Sequence, residues 1–339
     1  MVEDRDSTDA PNESADFELE EETSPPAEAP PPSIARVLGV VLFLAVVLFA
    51  ARQISRTGTG APDTQPAESS SAQSVPVADR PAQYPWLSLK DRKKYEPLAA
   101  RIPPPDGFAR VDVAAGSFAD WLRFLPMLPE GSPVVGPKGE VIMPANDRSL
   151  AGAVALQPHT AKTLSAPNIL VRLRAEYLWA TGRMDDLAFH FTSGHLSTWK
   201  EWASGLRPTV RGKNVTVAKS ASADTSRTNF TGYLESIFQY GTVYSLFKDT
   251  DKASEPVIEA GSVFIRVGRP GHAVMILDVA RNPEGQTRVL IGEGGTPVRT
   301  FHVLRAGDGS PWFPLGRSEP IDLGAKGVFH LKDLRHWPA

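Results

Sequence analysis

The 339-residue sequence contains no cysteine. This absence excludes disulfide bonds, thiolate metal sites and cysteine catalysis, so the core alone has to stabilise a folded domain. The sequence also has no large excess of one charge, because its net charge is −3 at pH 7. It therefore shows no global signature of a nucleic-acid-binding protein, and it predicts no cofactor.

The N-terminal quarter is predicted to contain three segments. Residues 1–32 are acidic and almost without large apolar side chains, which is typical of a disordered tail. Residues 33–52 include an apolar run long enough for one transmembrane helix. A cleaved signal peptide and a buried core helix are alternative interpretations, but the acidic tail that precedes the run argues against both. Residues 53–83 are rich in Pro, Ser and Ala and are expected to form a flexible linker.

Residues 84–339 are predicted to form one globular α+β domain, in which helices precede an antiparallel sheet. The apolar spacing predicts a helix from Ala166 to Thr181 and another from Phe230 to Tyr244, separated in part by a mobile loop over residues 212–228. Glycine turns then separate three apolar strands that form an antiparallel meander, and the middle strand begins at His272.

Several motifs resemble those of the bacterial domain-of-unknown-function family 4846, over nearly all of residues 100 to 315. The matching segments are Ser117 to Pro126, Arg172 to Leu178, Phe189 to Gly194, Trp199 to Trp202 and Pro270 to Val274. The meander also resembles that of papain-like cell-wall amidases, and this likeness implies an amidase-type core. In that layout, a strand histidine faces a cysteine at the N-terminus of a helix.

The resemblance places the nucleophile position of such a site at Ala166, which cannot attack a substrate. Ser165 lies one residue away, where capping of the helix is the expected role of its hydroxyl group. His272 is the candidate catalytic base, with Glu293 as its polar partner. The alternative interpretation of His272 is a hydrogen-bonded histidine at the end of a strand.

Four further residues are candidates for ligand binding: Arg172, Ser193, Gly194 and Trp199. An exposed Trp199 beside Ser193 and Gly194 would form a platform for a sugar or peptide ring, but Trp199 packed in the core is the simpler interpretation. His190 and His195 are loosely compatible with metal binding, but no nearby carboxylate completes a zinc site, and no metal is predicted.

The sequence as a whole favours a membrane-anchored cell-envelope protein with a catalytically degenerate, amidase-like domain. Its expected partners are the membrane, through residues 33–52, and a peptide, peptidoglycan or another envelope protein. We expect the globular domain to be periplasmic or extracellular. Two alternatives remain: an active hydrolase using His272 with Glu293 and either Ser165 or water, and a tethered scaffold whose acidic tail recruits a partner.

Overall fold

The computed structural model describes residues 83–92, 94–156, 166–268, 271–295 and 298–338. The predicted acidic tail, the transmembrane segment, all but the last residue of the linker, and Ser165 lie outside the described residues. Within the described part, no helix combines the length and apolar character that a membrane crossing requires.

Short helices and many strands alternate along the chain. The helices are α1 (Leu89–Arg92), α2 (Leu98–Arg101), α3 (Phe118–Arg123), α4 (Ala166–Ala180), α5 (Trp199–Ala203), α6 (Arg227–Tyr240) and α7 (Val243–Lys248). The strands before α6 are β1 (Glu96–Pro97), β2 (Ala109–Arg110), β3 (Pro126–Met127), β4 (Val134–Val135), β5 (Val141–Met143), β6 (Leu150–Ala153), β7 (Ala188–His190), β8 (Leu196–Thr198), β9 (Leu206–Arg211) and β10 (Asn214–Lys219). The strands after α7 are β11 (Val263–Arg266), β12 (His272–Arg281), β13 (Thr287–Glu293), β14 (His302–Leu304), β15 (Trp312–Pro314), β16 (Ile321–Asp322), β17 (Val328–Phe329) and β18 (Leu334–Arg335).

The largest sheet in the described part has eight antiparallel strands. Its main path runs β18-β11-β12-β13-β14-β6, with β15 paired to β13 and β2 paired to β12. The predicted meander is confirmed as β11, β12 and β13 at the centre of this sheet. The α+β class is confirmed as well, although β2 and β6 join the sheet from positions that precede the main helices.

The two faces of the sheet belong to different hydrophobic clusters. Along β12, Ala273 and Met275 pack with the helices, whereas Val274 and Ile276 pack against a second cluster that contains Phe329. Side chains of a strand alternate between faces, so these memberships show the direction of each residue of β12. We call the side with the helices the helix face and the side with Phe329 the outer face.

Helix α4 is the main helix of the helix face and ends close to its predicted boundary, just before Gly182, whose φ is 72°. Ile169, Leu170 and Leu173 are buried as their spacing predicts. Arg172 and Glu176 lie four residues apart on this helix and form an ion pair, with Nε and Oε1 3.7 Å apart. Helical periodicity therefore identified the buried side of this element.

Two local predictions need correction. The predicted mobile loop over residues 212–228 instead contains β10, which pairs with β9 over six residue pairs in a hairpin. The alternation of Val215 and Val217 with polar residues is a strand pattern that the Lys, Ser and Thr content of the segment obscured. The predicted helix from Phe230 to Tyr244 is two helices, because the chain becomes extended at Gly241 and Thr242 caps a new helix.

A buried carboxylate fixes the centre of β12. Asp278 is fully buried, and its two oxygens accept hydrogen bonds from Arg110 Nε at 2.6 Å and from Arg123 Nε at 2.7 Å. The register of β12 and β13 shifts between Ile276 and Asp278, which is a bulge. The ion pairs therefore tie β2 and α3 to the strand that carries His272.

Candidate functional site

His272 is the first residue of β12 and points to the outer face. Its register partner on β11 is Arg266, and its ring makes an edge-on contact with Phe329, with centroids 5.4 Å apart. About 15% of its side chain is exposed. The preceding residue, Gly271, packs on the helix face, where an added Cβ would lie 2.4 Å from Val243 Cγ1. The strand alternation thus fixes which way the imidazole points.

Glu293 is the last residue of β13 and lies beside His272 on the same face. Its side chain is 1% exposed, and Oε2 lies 3.0 Å from His272 Nε2. Burial tends to raise the pKa of Glu293, but the hydrogen bond of His272, the nearby His302 and the charge of Lys326 together lower it well below its usual value. Glu293 is therefore ionised at neutral pH.

The ionisation state of Glu293 determines the tautomer of His272. A carboxylate can only accept hydrogen bonds. His272 Nε2 therefore carries a proton and donates a hydrogen bond to Glu293. His272 Nδ1 makes no hydrogen bond to a described residue and is left as an acceptor or base. This arrangement of a carboxylate and an imidazole orients a base for proton transfer.

Lys326 completes the charge balance of the cluster. Its ammonium group hydrogen-bonds to Oε1 of Glu293, and its backbone carbonyl accepts a hydrogen bond from Arg266 Nη2 at 2.7 Å. Lys326 ends a short 3₁₀ helix, Gly324–Lys326, far from Glu293 in sequence. Sequence reasoning missed Lys326, because a lone lysine between two glycines carries no periodic signal.

His302 is a further member that the sequence prediction did not include. It is fully buried on β14, its register partner is Glu293, and its Nε2 lies 3.6 Å from Glu293 Oε1. Its Nδ1 lies 3.0 Å from the carbonyl oxygen of Thr300. We call His272, Glu293, His302 and Lys326 the outer-face cluster.

A groove of about 940 Å³ adjoins the outer-face cluster through Lys326. Its walls are the loops 145–150, 304–309 and 322–326. Residues of both charge signs line it: Arg148, Arg305 and Lys326 are basic, and Asp147, Asp308 and Asp322 are acidic. Asp147 belongs to the same wall, and its pKa is lowered by hydrogen bonds from Ser149 and, to a lesser extent, by the charges of Lys326 and His302. The groove and the cluster thus share an electrostatic environment.

The structure does not place His272 opposite the predicted nucleophile position. Ala166 is the first residue of α4, which packs on the helix face, whereas the contacts of His272 with Phe329 and Glu293 lie on the outer face. The side chain of Ala166 is outside the described part of the chain. The expected pairing of the two residues across a groove is therefore not supported by the direction of the imidazole.

The other predicted ligand-binding residues lie elsewhere. Trp199 is 4% exposed, and its ring packs edge-on against Trp179, Phe230 and Tyr233, so it presents no platform to a ligand. Arg172 is largely buried beside Glu176, which also binds Arg227 at 2.6 Å. These contacts give Trp199 and Arg172 structural roles in the core.

Ser193 and Gly194 form the predicted turn between β7 and β8, where Gly194 has a φ of 89°. The carbonyl oxygen of Gly194 accepts a hydrogen bond from Lys248 Nζ at 3.3 Å. Gly292 lies within β13, where a Cβ would be 2.5 Å from Phe301 Cζ. Close packing against this ring explains the glycine.

His190 and His195 do not form a metal site in the structure. Among the described residues, no group of three or more His, Asp or Glu side chains is arranged to hold a metal ion. His190 instead lies beside Asp249, with Nδ1 2.6 Å from Oδ1.

Comparison with family profiles identifies the chain over residues 98–335, more than two thirds of its length, as a "Domain of unknown function (4846)". The chain belongs to this family. No curated protein and no solved structure matches it. The family description names no reaction or ligand, so inferences about function depend on the geometry of the site.

Proposed function

We propose that this family member is a membrane-anchored cell-envelope protein that binds a peptide-containing ligand, such as a peptidoglycan stem peptide, in the groove beside the outer-face cluster. The observation that carries the proposal is the position of Lys326. Its ammonium group binds the buried carboxylate of Glu293, and the same residue lines the groove. A ligand in the groove can therefore contact a cluster that is already oriented.

The charges of the groove support a ligand with both acidic and amide groups. Arg148, Arg305 and Lys326 offer donors for a carboxylate, and Asp308 and Asp322 offer acceptors for amines or amides. Stem peptides carry all of these groups. The anchor in residues 33–52 would hold the domain close to such a ligand.

Binding is favoured over thiol-type catalysis for two reasons. The chain has no cysteine, and a papain-like amidase would need the imidazole on the face that carries its central helix. The contacts of His272 with Phe329 and Glu293 argue against that layout.

A second candidate function is hydrolysis by an activated water molecule. His272 Nδ1 makes no hydrogen bond to a described residue while Nε2 binds an ionised Glu293, and this arrangement favours the alternative, because it is how a general base is oriented. In this mechanism Nδ1 would accept a proton from water as the water oxygen attacks the amide carbonyl carbon, and the imidazolium would then return that proton to the leaving nitrogen as the C–N bond breaks. Glu293 would stabilise the imidazolium that forms.

Co-sedimentation with purified peptidoglycan sacculi tests the binding proposal. We expect the full chain to sediment with sacculi and Lys326→Ala to weaken this binding by about tenfold, since a hydrogen bond to a charged group is lost. Lys332→Ala is the matched control, because Lys332 is exposed and is not among the residues that line the groove. Equal binding by all three proteins, or by none of them, would contradict the proposal.

The same sacculi distinguish binding from hydrolysis. Soluble fragments released during incubation are separated by chromatography for the wild type and for His272→Ala. Binding without turnover predicts no release by either protein. Release by the wild type that disappears in His272→Ala would establish the hydrolase instead.

A further inference from the structure

A second cavity, away from the outer-face cluster, has the features of a binding site. It measures about 280 Å³ and is bordered by residues of α4, β7 and α7 and by the C-terminal segment around Trp337. Neither His272 nor Glu293 lines it. This volume is close to the lower end of the range for small-molecule pockets. The cavity therefore suits a ligand of few atoms.

One wall contains a buried carboxylate, and only one of its two oxygens accepts hydrogen bonds from described residues. Asp249 has a side chain that is 5% exposed. Its Oδ1 lies 2.6 Å from His190 Nδ1 and accepts the backbone N–H of His190 at 2.9 Å. Its Oδ2 is buried without a hydrogen-bond partner. A buried carboxylate oxygen in this state is costly, so the site calls for a donor.

Trp337, which also lines the cavity, requires a hydrogen-bond acceptor. Its indole Nε1–H is also buried without a hydrogen-bond partner, and the residue lines the same cavity. Arg174 lies next to it, with its guanidinium 6.0 Å from the Trp337 ring, and its Nη2 donates a hydrogen bond to the carbonyl oxygen of Pro338 at 3.0 Å. This part of the wall therefore calls for an acceptor, and a carboxylate is the group that best matches Arg174.

His190 makes the first wall more selective. Because Nδ1 lies against the carboxylate, Nε2 is the acceptor of the neutral ring, and no described residue binds it. An ammonium group could then donate to Asp249 Oδ2, whereas His190 Nε2, on the far side of the ring from the carboxylate, is an acceptor for a separate donor. Between the two polar ends, Leu178, Phe189 and Leu196 provide apolar lining.

From these features we infer that the cavity binds a free apolar α-amino acid, with its ammonium group at Asp249 and its carboxylate at Arg174 and Trp337. A ligand of this class supplies a donor and an acceptor a short distance apart, together with a small apolar side chain. Both unpartnered atoms are shielded from bulk solvent, so a bound group satisfies them better than solvent does.

Isothermal titration calorimetry of the full chain with L-leucine tests the inference. 4-Methylpentanoate lacks only the amine of leucine, and 3-methylbutylamine lacks only the carboxylate. Each of these compounds should bind at least about tenfold more weakly, because each leaves one wall without its partner. Alanine, valine, methionine and phenylalanine extend the test to other side chains.

Two near-isosteric variants localise the binding. Asp249→Asn removes the charge and Trp337→Phe removes the indole N–H, and each should weaken leucine binding by about tenfold or more. His272→Ala should bind leucine as the wild type does, which separates this cavity from the proposed function. Circular dichroism confirms that each variant is folded.

Three results would overturn the inference. The first is that none of the five amino acids produces binding heat or stabilises the folded protein. The second is leucine binding that both Asp249→Asn and Trp337→Phe leave unchanged. The third is a crystal structure grown in saturating leucine in which only water contacts Asp249 Oδ2 and Trp337 Nε1.

Discussion

His272 Nε2 lies 3.0 Å from Glu293 Oε2, and both side chains occupy the sheet face opposite the helices. The two residues come from neighbouring strands, so the pairing of β12 with β13 brings them together. Lys326 holds the other oxygen of the carboxylate. This relationship makes Glu293 the residue that organises the cluster.

Replacing Glu293 with glutamine should weaken the pH dependence of folding stability. The pKa of Glu293 is lowered in the folded protein, so its stabilisation is complete above its ordinary value of 4.5 and is lost as the pH falls below it. At pH 7 we expect Glu293→Gln to lower the free energy of unfolding by about 1–3 kcal/mol. Urea denaturation at pH 7 and at pH 3.5 measures the difference.

Glu255→Gln is the control for that experiment, because the side chain of Glu255 is exposed to solvent. The difference in the free energy of unfolding between the wild type and Glu293→Gln should be smaller at pH 3.5 than at pH 7. The control should remain close to the wild type at both pH values. A gap that widens at low pH would refute the assigned charge state of Glu293.

The opposite pH dependence is expected for Asp249. Burial raises its pKa to about 6, despite the opposing effect of His190. The folded state therefore binds more protons between pH 4 and pH 6, and the contribution of Asp249 to stability falls as the pH rises through this window. As the pH rises from 4 to 7, the free energy of unfolding of Asp249→Asn should increase by on the order of 2 kcal/mol relative to that of the wild type.

Thermal or urea unfolding across that window checks the prediction for Asp249, with Asp185→Asn as the exposed control. If Asp249→Asn and the wild type show parallel curves from pH 4 to pH 7, the carboxyl group does not titrate in this range. The control should follow the wild type throughout.

Removal of the Asp278 charge should be among the more damaging single changes. Asp278→Asn leaves Arg110 and Arg123 without their shared carboxylate, and breaking a buried pair costs about 3–5 kcal/mol. The exposed Asp112→Asn changes the net charge equally and should cost about 0.5 kcal/mol or less. Urea midpoints for the two variants decide the point, and equal midpoints would show that the ion pairs add little.

A methyl group at position 271 should destabilise the start of β12. The Cβ of Gly271→Ala would meet Val243 Cγ1 at 2.4 Å, so either the strand or α7 has to move, at a cost of about 1–3 kcal/mol. The double variant Gly271→Ala with Val243→Ala should recover part of this loss. Additive costs in the double-mutant cycle would exclude the contact.

Periodic segments of the chain were predictable from sequence, and contacts between distant segments were not. The buried side of α4 and the three strands of the meander follow from side-chain spacing, which needs no information about neighbours. Glu293 was a candidate partner of His272 because the family resemblance marked the position just after the last meander strand, and the structure includes Glu293 as the final residue of that strand.

The outer-face cluster required long-range information. Lys326 is 33 residues from Glu293 and lies between strands of only two residues. The direction of the His272 side chain could not be predicted either, because a strand pattern separates two faces without showing which one the helices cover. The amidase resemblance implies a histidine that faces the N-terminus of a helix, whereas the packing of Phe329 against His272 places the imidazole on the outer face.

The most direct test of this account uses a single introduced thiol. Because the chain has no cysteine, Ala166→Cys carries one reactive sulfur, whose pKa is read from the pH dependence of alkylation by iodoacetamide. Thr228→Cys, in the first turn of α6, gives the effect of a helix N-terminus alone.

The decisive comparison is between Ala166→Cys and the double variant that also carries His272→Ala. Our account places the imidazole on the outer face, so it predicts thiol pKa values that agree within about 0.3 units in the two proteins. A thiol pKa lower by about one unit or more when His272 is present would contradict it, because such a shift requires the imidazole beside position 166.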